Sequence, residues 1–158
     1  MGTGRARAAT AYAMARMNTD AHRLLAFRPW FYAAAVYNLA WGTTTVLFPR
    51  LYFDLIGMPP PEPIAIWQVV GMILAVYATA FWWAARHPER HPHLIVVPFL
   101  GKALGPIGFL YAWATGDLPL AFGWTLITND LVWLPAFGLY LHRSARTRGG
   151  WRRFLAGA

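Results

Sequence analysis

Four apolar stretches, at about residues 30–48, 64–85, 94–115 and 119–141, constrain this chain more than any other feature. Each is about 20 residues long, the length at which a helix crosses the hydrocarbon core of a bilayer. Charged residues make up 13% of the chain, against about 25% in soluble domains, so water is not the expected main solvent. Nine Trp, seven Tyr and ten Phe suit the aromatic belts of a membrane protein. Twelve Pro and fourteen Gly are tolerable there too, because neighbouring helices satisfy the backbone they free. The expected fold is all-α: an integral membrane four-helix bundle over residues 30–141, with basic segments at 1–29 and 142–158. Only Gly116, Asp117 and Leu118 separate the third and fourth stretches, which predicts a tight antiparallel hairpin.

The arginines set the orientation. Arg5, Arg7, Arg16, Arg23 and Arg28 precede the first stretch, Arg86 and Arg90 follow the second, and Arg143, Arg146, Arg148, Arg152 and Arg153 follow the fourth. The first and third connections hold only Arg50, beside Asp54, Glu62 and Asp117. This asymmetry predicts both termini on the cytoplasmic side. Leu51, Phe53, Leu55 and Ile56 fit water poorly, so residues 50–57 read as a short interfacial segment closed by Gly57 and a proline run. Residues 8–27 are alanine-rich and basic, and read either as a surface helix on anionic headgroups or as disorder.

Three polar groups inside the stretches need explaining. Counted from the cytoplasmic ends at the helical rise, Asn38 and Lys102 lie about 12 Å deep and Asp130 about 16 Å. Lys102 is the only lysine in the chain and Asp130 the only acid within a stretch. An unpaired charge at that depth costs at least ~2.5–3.5 kcal/mol, so a Lys102–Asp130 ion pair is expected, with Asn38 as a hydrogen-bonding neighbour. Pro106 cannot donate to the Lys102 carbonyl, nor Pro135 to that of Leu131, so both carbonyls should join this layer. Gly101 and Gly105 form a small-xxx-small step that lets a neighbouring helix approach. Helical spacing puts Gly105 and Pro106 on the Lys102 face, Trp133 on the Asp130 face and Trp41 on the Asn38 face. These residues, with Gly101, form the expected lining of a pocket. Gln68 lies toward the external end of the second stretch, either capping an entrance to the layer or bonding water at the interface.

Several chemistries are disfavoured. Without cysteine there is no disulfide, no thiol catalysis and no thiolate metal site. The histidines of HPERHPH, His87, His91 and His93, are proline-interrupted in a short loop, so no metal site is expected. The net charge of +8 is distributed as a topology signal, not as a nucleic-acid-binding face.

The order of motifs adds a resemblance. YNLAWG at 37–42, Trp67, Gln68, Gly71 and Met72, then Gly101, Lys102, Gly105 and Pro106, and finally Asn129, Asp130, Trp133, Pro135 and Phe137 follow one another in that order. The pattern resembles a family of small uncharacterised four-helix bacterial inner-membrane proteins, some labelled "alkyl hydroperoxide reductase". It covers about residues 30–141 and implies a multi-pass inner-membrane location and a role for Asn129 and Gln68 beside Lys102 and Asp130. The activity in the label fails on chemistry, because a thiol peroxidase needs a peroxidatic cysteine.

The reading is therefore a small inner-membrane protein whose Lys-Asp-Asn layer binds a lipid-like or quinone-like molecule. The alternatives are proton-linked transport by an oligomer, and a scaffold or accessory subunit in which the buried pair is only structural. No cofactor is expected. The partners would be membrane lipids, a hydrophobic ligand, a second copy or another membrane protein. No nucleophile, base and orienting group stand together, so the balance leans against an enzyme.

Overall fold

The computed structural model describes residue 11 and residues 22–157. Most of the expected N-terminal surface helix, at 8–10 and 12–21, thus lies outside the described residues. Those described are helical, with no strand among them. The elements are α1 (Arg28–Leu47), α2 (Leu51–Ile56), α3 (Ala65–Arg86), α4 (His93–Ala114), a 3-10 turn (Leu120–Gly123), α5 (Trp124–Leu126), a π-helical turn (Ile127–Leu131), α6 (Leu134–Thr147) and α7 (Trp151–Leu155).

Two of these helices, α3 and α4, are long and apolar enough to cross a membrane. α1 has nearly their length, but Asn38, Gly42 and the threonines at 43–45 dilute its hydropathy. The stretch expected as a fourth continuous helix, 119–141, is broken into 3-10, α and π turns before α6 begins. Local chemistry explains most of the boundaries. Pro29 and Pro135 occupy the first turns of α1 and α6, where no N–H is needed. α2 ends at Gly57, whose φ of +66° is left-handed, and the Met58 N–H closes back on Phe53 O at 3.0 Å. That six-to-one bond is how a glycine-capped helix stops.

The helices meet at two aromatic clusters. At the end holding residues 24–35, 78–95 and 133–154, Phe31, Phe81, Phe137 and Tyr140 are fully buried together. Their ring centroids lie 4.7 Å apart for Phe31–Tyr140 and 5.3 Å for Phe81–Phe137. Tyr140 Oη donates to Pro88 O at 2.6 Å and Arg28 Nε to Ala85 O at 3.0 Å, fastening the α3–α4 connection to this cluster. Residues 142–157 belong to this body and do not trail from it: α6 continues to Thr147, and α7 inserts Phe154 against the His93 ring. At the opposite end Tyr52 of α2 packs on Trp41, Phe53, Trp67 and Phe122. Tyr52 Oη donates to Phe122 O at 2.9 Å, tying α2 to the 3-10 turn.

Between the clusters, α1 and α3 approach most closely at glycine. A β-carbon on Gly42 would stand 2.4 Å from Gly71 O, and one on Gly71 would stand 2.7 Å from Thr45 Cβ. This contact, absent from the sequence reading, does what was expected of Gly101. Gly101 itself is exposed, with no atom within 4 Å of where its β-carbon would lie. The outer flanks of α3 and α4 present Ile66, Val76, Leu100, Leu104 and Ile107 to the surroundings. So large an apolar surface matches a lipid environment, because soluble monomers rarely expose contiguous patches of that kind.

Candidate functional site

The backbone around Asp130 departs from the α-helix. The Val132 N–H reaches back five residues to Ile127 O at 3.2 Å, while the Trp133 N–H reaches back only three, to Asp130 O at 3.1 Å. Neither takes the carbonyl four residues before it, and those carbonyls are Thr128 O and Asn129 O. A carbonyl left bare in an apolar interior is costly. Side chains claim both: Trp133 Nε1 donates to Thr128 O at 3.0 Å, and Lys102 Nζ donates to Asn129 O. The sequence places Pro135 within a continuous helix; in the structure it opens α6, the helix having already broken at the π turn.

Lys102 also meets Asp130, its Nζ lying 3.5 Å from Oδ1. Asn129 Nδ2 donates to the same oxygen at 3.1 Å. The Lys102 side chain is 4% exposed and that of Asp130 10%, so the pair is buried, with the carboxylate keeping the more open edge. This arrangement gives a reason for lysine in a chain otherwise basic only through arginine. A carbonyl and a carboxylate approached from different directions suit the tetrahedral donors of an ammonium, whereas the flat guanidinium fork suits one planar anion.

The rest of Asp130 is held by shape. Oδ2 lies over Gly105: a β-carbon there would stand 3.1 Å from Oδ2 and 3.9 Å from a Leu126 methyl group. A β-carbon at 105 would require Oδ2 to give by a few tenths of an ångström. Beside this contact opens a groove of about 670 Å³ between α4 and the broken segment, lined by Pro106, Phe109, Leu110, Leu126, Ile127 and Leu131 among others. Its walls are apolar, and its size falls in the range of small-molecule sites, about 300–1,000 Å³.

The other expected site residues are dispersed. Asn38 is fully buried, but its Nδ2 donates to Ala34 O in its own helix at 2.8 Å and its Oδ1 has no partner. The expected hydrogen bond from Asn38 to the ion pair is therefore not made; a carbonyl one turn back is simply the nearer acceptor. Gln68 Nε2 donates to Val46 O at 2.9 Å and ties α3 to the end of α1, away from Lys102. Trp41 packs on Tyr52, lining a smaller cleft with Trp67. Trp133 stacks on Phe137 at 6.1 Å and touches Tyr37 at 5.6 Å, so it braces the π turn and does not line the groove. Of the five expected lining residues, Pro106 alone lines the groove and Gly105 abuts it. Asn129, implied only by the resemblance, contributes twice, through its backbone carbonyl and its amide.

The histidines have different polar partners, and the His87 and His91 rings lie edge to face, 6.4 Å between centroids. His93 Nε2 bonds Phe154 O at 2.6 Å, while His87 Nδ1 lies 3.7 Å from Glu89 Oε1. Comparison with protein-family models, with curated proteins and with solved structures found no match.

Proposed function

We propose that the protein is a multi-pass inner-membrane protein that holds a hydrophobic small molecule in the groove between α4 and the broken fourth segment. In this reading the chain crosses the bilayer four times, with both ends on the arginine-rich, cytoplasmic side. The broken fourth segment can lie at membrane depth because Lys102 and Trp133 satisfy the carbonyls it frees. The observation that carries the reading is one of juxtaposition: an apolar groove of ligand size ends beside a buried carboxylate whose second oxygen lies over a bare glycine.

Topology is open to a direct test, since the chain contains no cysteine. Gly57→Cys and Asp117→Cys should react with a membrane-impermeant maleimide in intact cells, and Ala156→Cys should not. Labelling of Ala156→Cys with the other two protected would invert the orientation. For the ligand, native mass spectrometry of protein extracted gently from its own membrane should show a bound small molecule. That molecule should be missing from a folded Leu110→Trp, Ile127→Trp variant, whose indoles fill the groove from exposed positions.

A second reading has its own observation. Lys102 both balances Asp130 and claims the Asn129 carbonyl, as a purely structural staple would. Wild-type protein free of adducts at full folding would favour it.

A further inference from the structure

The end of the molecule that holds α7 carries more positive charge than it neutralises. Among the described residues its one acid is Glu89, whose Oε1 lies 3.5 Å from Arg90 Nε and 3.7 Å from His87 Nδ1. Three more arginines are engaged without an acid: Arg28 on Ala85 O, Arg148 on Glu89 O and Arg143 over the Phe27 ring. Arg86, Arg146, Arg152 and Arg153 are exposed, and among the described residues their side chains form no hydrogen bond or ion pair. Uncompensated charge of this kind sets up a positive potential and attracts an anion from outside the chain.

The surface around the arginines narrows the kind of anion. Gly149 and Gly150, with left-handed φ values of +81° and +109°, turn the chain out of α6. α7 then lies where Phe154 puts it, stacked on His93, the first residue of α4. Burial of Phe154 leaves Trp151 and Leu155, one turn apart on the same side of α7, exposed. Trp30 at the start of α1, and Trp82 and Trp83 one turn before Arg86, are exposed at the same end. Tryptophans gather where the hydrocarbon of a bilayer meets its headgroups, so these four mark the depth at which α7 is held. Arginines alone would suit nucleic acid or an acidic protein. Exposed indoles and a leucine beside them, at the end of two helices of membrane-crossing length, suit the headgroup layer of a bilayer.

We infer that α7 is an interfacial anchor for anionic phospholipid, with Trp151 and Leu155 seated in the headgroup layer and Arg86, Arg152 and Arg153 on lipid phosphates. The inference rests on the membrane reading given above and is independent of the groove. A loose basic tail would feel only the surface potential. A helix pinned by Phe154 holds its guanidinium groups at phosphate depth, where each can take two phosphate oxygens at once.

The test offers the full chain, in detergent micelles, equal amounts of phosphatidylglycerol and phosphatidylcholine with the same acyl chains. Native mass spectrometry counts the lipid retained. Phosphatidylglycerol should be retained at least about tenfold over phosphatidylcholine. Arg86→Gln with Arg152→Gln and Arg153→Gln, all at exposed positions, should remove most of that preference. A second readout places a bimane on Leu155→Cys, the one cysteine in that variant, in nanodiscs containing phosphatidylglycerol. A lipid spin-labelled at its headgroup should quench it. Equal retention of the two lipids by folded wild type would overturn the inference and leave the arginines to an acidic protein. A preference that survives the triple variant would overturn it by moving the lipid elsewhere, and an unquenched bimane by holding α7 off the bilayer. Protein that stays dissolved without detergent or lipid would instead overturn the membrane reading itself.

Discussion

Gly42 and Gly71 face each other across α1 and α3 so closely that a methyl group on Gly42 would overlap the Gly71 carbonyl oxygen, at 2.4 Å. That carbonyl is backbone and cannot swing aside. Gly42→Ala should therefore destabilise the protein by about 1–3 kcal/mol, the usual cost of overpacking. Gly101→Ala is the matched control: its methyl meets nothing within 4 Å, and it should gain up to about 1 kcal/mol of helix propensity. Thermal melting in one detergent decides the point. Equal loss at both positions would remove the close contact from the account.

The buried pair predicts a non-additive cycle. Lys102→Met or Asp130→Leu alone leaves a charge without its partner and should cost about 3–5 kcal/mol. The double variant should recover much of that loss, though not all, because the Asn129 carbonyl loses its donor whenever Lys102 goes. Lys102→Arg should stay below wild type, since a flat, larger guanidinium fits two acceptors approached from different directions less well than an ammonium does. Melting of the four proteins gives the coupling energy; single variants as stable as wild type would contradict the pairing.

Tyr52 fastens α2 to the 3-10 turn through its bond to Phe122 O. Tyr52→Phe should cost about 1 kcal/mol. Burial holds the Tyr52 hydroxyl above its ordinary value. A raised folded pKa means the contribution is complete below the unfolded value, near 10, and is lost as pH rises from there through the folded value. The gap between wild type and Tyr52→Phe should accordingly be flat from pH 6 to 9 and shrink in stronger alkali. A gap that widens in alkali would reverse the assigned sign.

Phe154 lies fully buried on the His93 ring, 4.6 Å between centroids. Phe154→Ala should cost about 3–5 kcal/mol, whereas Leu155→Ala, at an exposed position, should cost under about 0.5 kcal/mol. Protease sensitivity after residue 147 should rise in the first variant alone. Parallel behaviour of the two would show that α7 is not anchored.

Composition and helical periodicity carried the helical class, the ends of α3 and α4 to within a residue or so, and the partnership of Lys102 with Asp130. Two unique charges at similar depth in an apolar layer have few other ways to be accommodated, so the pairing was legible from arithmetic alone. The lining of the site was not. Placing residues on faces assumes an unbroken helix, and the π turn at 127–131 breaks that assumption inside the fourth stretch. Nothing in ITNDL announces such a turn; Pro135 four residues after Leu131 hints at a break without fixing its form. Asn38 was misplaced for another reason. Depth along an axis says nothing about azimuth, and a short amide can turn to its own helix carbonyl as readily as to a neighbour. The Gly42–Gly71 contact hid because glycines signal close approach without naming their partner.

The π turn also makes chain length part of the site. It accommodates one residue more than a regular helix would in the same rise. Deleting a residue within 127–131 would restore an ordinary hydrogen-bond ladder and, locally, a better helix. Because the bulge absorbs the extra residue, its removal would leave Phe137 and Tyr140 near their register against Phe31, but would return to the ladder the Asn129 carbonyl that Lys102 claims. A change that repairs the secondary structure would thus take a partner from the buried ammonium, and the irregular backbone is as much a part of the polar layer as its side chains.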